Sequence, residues 1–207
     1  MDKSRFRYIP ILLFPVFILV SCTHVEIPSG TMRESESDLF SRVKPVFIMP
    51  TSDMERGNGI EAIFFDQRET ADGAVIEITV VFLDEDHPSL LVDGLYDIYR
   101  RFRYHRVKDV ETFFLYFSVN GIPFSRFEFP GTYAGEQSFY KKDVEHFSAV
   151  VPAVSFEYIE SRAIIHVTTW NHMFRETATD TGIATTAIVD YPVYPGSRAD
   201  VEVQSAP

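Results

Sequence analysis

The chain reads as a mainly β protein, an antiparallel sandwich or small barrel carrying one or two short helices. Three observations predict this. Its 207 residues include 19 Phe and 10 Tyr, and aromatic residues suit pleated, half-buried surfaces. Ala74 to Leu83 alternates, with Ile76, Ile78, Val80 and Phe82 on one face and Glu77 and Thr79 on the other. Asn120-Gly121 separates two apolar runs, the strongest short hairpin signal, because both central residues of a type I′ turn need positive φ.

The elements follow in order. Val46 to Met49 and Ile60 to Asp66 are short apolar strands, and Ala74 to Leu83 is a half-buried one. Leu91, Leu95, Ile98, Tyr99 and Phe102 fall on one helical face, with Pro88 at its entrance and Asp97 four residues before Arg101. Thr112 to Val119 and Ile122 to Phe129 form the Asn-Gly hairpin, with Pro123 weakening the second strand or placing it at an edge. Gly135 to Phe147 is a second, weaker helix. Val154 to Ile159 and Ala163 to Trp170 alternate and make another hairpin through Glu160-Ser161-Arg162. Ile183 to Val189 and Tyr191 to Val203 read as closing strands interrupted by Pro192 and Pro195.

The N-terminus has a different character. Lys3, Arg5 and Arg7 precede a wholly apolar run, Ile9 to Val20. Twelve residues are too few to cross a hydrocarbon core as a helix, which takes roughly 20. A basic start followed by a short apolar run is the secretory signal pattern. Leu19-Val20-Ser21-Cys22 then resembles the lipobox of bacterial lipoprotein signals, in which the cysteine thiol takes a diacylglycerol group before the peptide is cut. The resemblance covers residues 1–22 alone. It implies a signal peptide over 1–21, acylation of Cys22 and attachment to a bacterial membrane through at least two chains, enough for firm anchorage. Cys22 is also the sole cysteine, so acylation would leave no free thiol and no disulfide. Residues 22–45 read as a polar, aperiodic tether, and 46–207 as a single domain. Thr23, rather than Asp, follows the cysteine. By the enterobacterial sorting rule this points to the outer membrane rather than the inner, with the body periplasmic or at the cell surface.

Composition excludes some partners. Without residues 1–21 the remaining 16 Lys plus Arg stand against 29 Asp plus Glu, a formal charge of −13. Nucleic acid is therefore not expected as a partner, since basic surface supplies that affinity.

No P-loop, Gly-x-Ser-x-Gly, His-Glu-x-x-His or Cys-x-x-Cys pattern occurs, so no catalytic residues and no cofactor are implied. Asp84-Glu85-Asp86-His87 is the densest acid cluster. Asp84, Asp86 and His87 are weak cation candidates, but the spacing matches no calcium loop, and a solvated turn is the plainer reading. His166 shares a strand face with Ile164, Thr168 and Trp170, and His172 follows; a hydrogen-bonded histidine at the core edge is expected there. Arg100, Arg101, Arg103 and Arg106, interleaved with aromatics, are the binding candidates for an anionic lipid, peptidoglycan carboxylates or an acidic envelope protein. The function expected is a membrane-anchored, non-catalytic binding or scaffolding domain of the envelope. The alternatives are a barrel-like carrier of a hydrophobic or anionic small molecule and, after that, an unrecognised hydrolase.

Overall fold

A computed structural model describes residues 40, 43–71, 73–104, 108–118 and 121–204. The protein is mainly β: eleven strands form one curled sheet, a half-barrel, with three short helices. Cys22, Arg106, Asn120 and the tether up to residue 39 lie outside the described residues, whereas the last part of the segment read as a tether is packed: Phe40 stacks on Phe65 and Val43 is buried in the core.

Strands β1 (Val46–Pro50), β2 (Ile60–Thr70), β3 (Gly73–Phe82), β4 (Asp109–Ser118) and β5 (Gly121–Tyr133) carry most of the sheet. Helix α1 (Thr51–Arg56) follows β1, and α2 (Leu90–Tyr104) lies between β3 and β4. The rest is β6 (Phe147–Pro152), β7 (Tyr158–Ile159), β8 (Arg162–Val167), β9 (Phe174–Arg175), β10 (Thr185–Ile188), β11 (Val193–Pro195) and α3 (Arg198–Gln204). The strand order is β10-β1-β8-β9-β5-β4-β3-β2-β11, with β6 on β5 and β7 on β8. Strands β2 to β5 form an antiparallel meander, whereas β1 with β8, β11 with β2 and β5 with β9 are parallel.

The period-two pattern decides the core. Ile76, Ile78, Val80 and Phe82 pair across the ladder with Leu115, Phe113, Glu111 and Asp109. This face packs on Phe47, Phe127, Phe129 and Phe174. Phe113 sits centrally, with ring centroids 5.5 Å from Phe129 and 5.1 Å from Phe174. The reverse face of β2, β3 and β4 carries a smaller cluster, Ala62, Phe64, Val81 and Val110, covered by Val201 of α3. Pro123 precedes the part of β5 that pairs with β6, which starts at Arg126, so it disrupts no bond to that neighbour.

Three expectations fail for identifiable reasons. Residues 135–147 are not a helix. Gly135 has φ +61°, and Gln137 organises a loop by donating to the Ala134 and Glu145 carbonyls while accepting from Lys141 and the Glu145 amide. Residues 154–159 are mostly not a strand: their alternation is taken up by a 3-10 turn over Ala153–Ser155 that buries Ala153 and Phe156, and the strand that pairs there is the preceding segment, β6. Residues 191–203 are strand only to Pro195. Gly196 then has φ +142°, and Asp200 accepts bonds from the amide and hydroxyl of Ser197, both at 2.7 Å, capping α3.

Candidate functional site

Two features stand apart from ordinary packing: a buried ionic centre at one end of the core face, and a helix that presents its apolar side to water.

The centre begins in β4. Asp109 and Glu111 lie in the same phase as Phe113, Leu115 and Phe117, opposite Phe82 and Val80, so both acids point toward the core. The turn after β8 supplies His172, whose amide donates to the Thr169 carbonyl at 3.0 Å. Its φ of +57° is uncommon for a residue with a side chain. The imidazole is fully buried and stacks on Phe82, with centroids 4.0 Å apart and planes 9° from parallel. Nδ1 lies 3.0 Å from Asp109 Oδ2 and Nε2 lies 3.2 Å from Asp53 Oδ2. Asp53 belongs to the first turn of α1, and its other oxygen accepts from the Asn58 amide group at 2.9 Å.

A ring that faces carboxylates at both nitrogens donates from both, which makes it an imidazolium. Burial pushes the His172 pKa down. The hydrogen bonds and charges of Asp109 and Asp53 outweigh that and carry it up to about 10.

Glu85 turns into the same centre from the loop after β3. It is buried, with Arg100 Nη1 at 3.6 Å and the Tyr96 hydroxyl bonding to it. Burial, together with the neighbouring charge of Asp109, raises its pKa to about 8 against the pull of Arg100 and His172. Burial and Asp109 likewise raise Glu111 well above the usual carboxylate range. One ligand atom from each of Glu85, Asp109 and His172 lies within 4.8 Å of the others.

Helix α2 is inverted relative to a core helix. Leu91, Leu95, Ile98 and Phe102 fall within an arc of about 60° at 100° per residue, and they are 85%, 70%, 53% and 81% exposed. Arg100, on the opposite side, is only 4% exposed, and its guanidinium lies 3.4 Å from Asp84 and 5.7 Å from the Tyr96 ring centre. A polar side thus anchors the helix while the apolar stripe faces solvent.

The candidates from sequence divide accordingly. Arg100 is part of the buried centre, Arg101 and Arg103 are exposed beside the stripe, and Arg106 lies outside the described residues. Asp84 is engaged by the Glu85 amide at 2.8 Å and by Arg100. His87 accepts from the Ser89 amide and meets Trp170 edge-on. Asp84, Asp86 and His87 are not brought into the set that converges. His166 points away from the core, between buried Ile165 and Val167, and is not paired with His172. The sequence sets Glu85 in the acid run and His172 behind His166 but joins neither to Asp53 or Asp109. The available signal is the phase of Asp109 and Glu111, two acids in step with the inward aromatics of one strand.

A cavity of about 680 Å³ lies on the reverse face of the sheet beside α3. Its wall is mixed, with Phe114 and Pro130 beside charged groups, and Glu77 accepts there from Arg68 and from the Arg198 amide, each at 2.7 Å. The concave face is filled by the aromatic cluster. Among the described residues, no helix is long and apolar enough to cross a membrane. No family model, curated protein or solved structure matches the chain.

Proposed function

We propose that the chain is an envelope lipoprotein, acylated at Cys22, whose β half-barrel is a binding body held flat against the bilayer by α2. The observation that carries the reading is the exposed stripe of Leu91, Leu95, Ile98 and Phe102. Fully burying side chains of this kind is worth about 1.5–3 kcal/mol each. Arg101 and Arg103 flank the stripe, where cationic heads reach lipid phosphates while their stems lie along apolar surface. The helix is about 22 Å long and lies as an interfacial element rather than a span. Anchorage then has two parts: the acyl chains, which hold the protein on the membrane, and the amphipathic helix, which lays the body against it. The half-barrel stands as a scaffold behind that surface. The filled concave face favours this over carriage of an apolar ligand.

The test compares full-length wild type, Cys22→Ser and Leu95→Asp/Phe102→Asp by flotation with vesicles containing anionic lipid. Cys22→Ser should block acylation, seen as a mass change, and should weaken flotation. In the Cys22→Ser background, where the helix acts without the acyl chains, the α2 double variant should lose about tenfold or more in vesicle affinity. Charge reversal at Arg101 and Arg103 should reduce binding to anionic vesicles more than to neutral ones. Equal vesicle affinity of Cys22→Ser with and without the α2 substitutions would remove any role for the helix in attachment. Unaltered processing and partitioning of Cys22→Ser would remove the anchor.

A further inference from the structure

We propose that Glu85, Asp109 and His172 bind one first-row divalent cation, zinc or manganese, at the polar end of the core face. Such a site is independent of membrane attachment.

The geometry is close to that of a site. Three segments far apart in sequence bring one imidazole nitrogen and two carboxylate oxygens within 4.8 Å of one another. The donors of a tetrahedral zinc site lie about 2.0–2.2 Å from the ion, which sets them about 3.3–3.5 Å apart. His172 Nδ1 and Asp109 Oδ2 are already 3.0 Å apart. Bringing in an ion therefore asks for shifts of tenths of an ångström there and a modest closing of the Glu85 carboxylate.

The far side of the imidazole carries the independent support. Metal-bound histidines characteristically donate their second ring N–H to a carboxylate, which fixes the tautomer and raises ligand basicity. Asp53 stands in that position behind Nε2, at 3.2 Å. Asn58 fixes the Asp53 carboxylate, and the Phe82 stack fixes the plane of the ring. The orientation of Nδ1 is thus set by two groups outside the ligand set, Asp53 and Phe82, with Asn58 behind the first.

Charge is balanced by exchange: the Glu85 carboxyl and Nδ1 of His172 release their protons to solvent as the dication enters, so the ion takes the place of two protons and leaves the net charge of the centre unchanged. The donor set selects the ion: imidazole suits zinc and its neighbours, whereas calcium takes six to eight oxygens.

The experiment titrates the full-length, detergent-solubilised protein, stripped with EDTA, with ZnCl2 and MnCl2, and with CaCl2 for comparison. Calorimetry should give one zinc or manganese ion per chain, at least tenfold tighter than calcium, with a rise in melting temperature. Glu85→Gln and His172→Gln should each weaken binding tenfold or more, and Asp53→Asn, a positioning residue, about 10-fold. His146→Ala and His166→Ala should leave it unchanged. Glutamine keeps the neutral shape of a protonated Glu85, so that variant is the one most compatible with folding, and circular dichroism checks it. If the variants do not fold, cobalt(II) absorption of the wild type decides, since a nitrogen-ligated, low-coordinate site gives intense visible bands. Absence of saturable binding, an aquo-like cobalt spectrum, or equal affinity in a folded Glu85→Gln overturns the proposal.

Discussion

Asp53→Ala should cost about 3–5 kcal/mol of folding stability, the range for stripping one partner from a buried ion pair. Asp53 is 1% exposed and holds both His172 Nε2 and the Asn58 amide group. Alanine leaves a buried imidazole N–H and a buried amide without acceptors and opens a void where α1 meets the sheet. For a domain of this size the urea midpoint should fall by about 2 M. Asp190→Ala is the matched control: its side chain is 92% exposed and its contact with Lys44 spans 3.4 Å, so it should leave the midpoint where it was. Equal midpoints for the two variants would mean that the Asp53 interaction contributes nothing net.

The second large effect is with pH, measured in EDTA. Folded Glu85 holds its proton to about pH 8, whereas an unfolded glutamate releases it near 4.5. Between those values the folded state binds more protons, so stability falls as pH rises. Folded His172 holds its proton to about pH 10 against an ordinary 6.5. Its contribution is fully present below pH 6.5 and is lost on the way to 10. The two windows overlap and share a sign. Each tenfold gain in proton affinity on folding corresponds to about 1.4 kcal/mol, so the combined fall from pH 5 to pH 9 should be on the order of several kcal/mol. The denaturation midpoint should be clearly higher at pH 5, and His172→Gln should flatten the upper half of the profile. A midpoint that rises from pH 5 to pH 9 would contradict the protonation states assigned to the centre.

The sheet is legible in the sequence where alternation and turns agree. Ala74 to Leu83 shows its inward set directly, and Asn-Gly marks where β4 gives way to β5, although Ser118 pairs with Gly121, one position short of the register an Asn120-Gly121 turn sets. Legibility fails where one side chain overrides a local pattern. The Gln137 side chain makes four hydrogen bonds to three residues in a loop that otherwise reads as a helix, and Ser197 with Asp200 starts a helix where β-branched residues suggest a strand. In α2 the period is readable but its direction is not. Periodicity identifies a stripe without saying whether core or solvent lies beyond it, and the buried Arg100 settles that only in three dimensions. The ionic centre is hidden because its members come from α1, the β3–α2 loop, β4 and the turn after β8, and no spacing along the chain joins them.

The position of β1 has a mechanical consequence. It is the first strand, yet it lies inside the sheet, antiparallel to β10 and parallel to β8. The Arg162 guanidinium clasps the carbonyls of Lys44, Pro45 and Val189 at its entrance. A pull along β1 from the N-terminal side loads the hydrogen bonds of both flanking ladders together, in shear, rather than peeling them one at a time. A body tugged through that end resists as a whole, and the force required to extract β1 exceeds that for an edge strand such as β11.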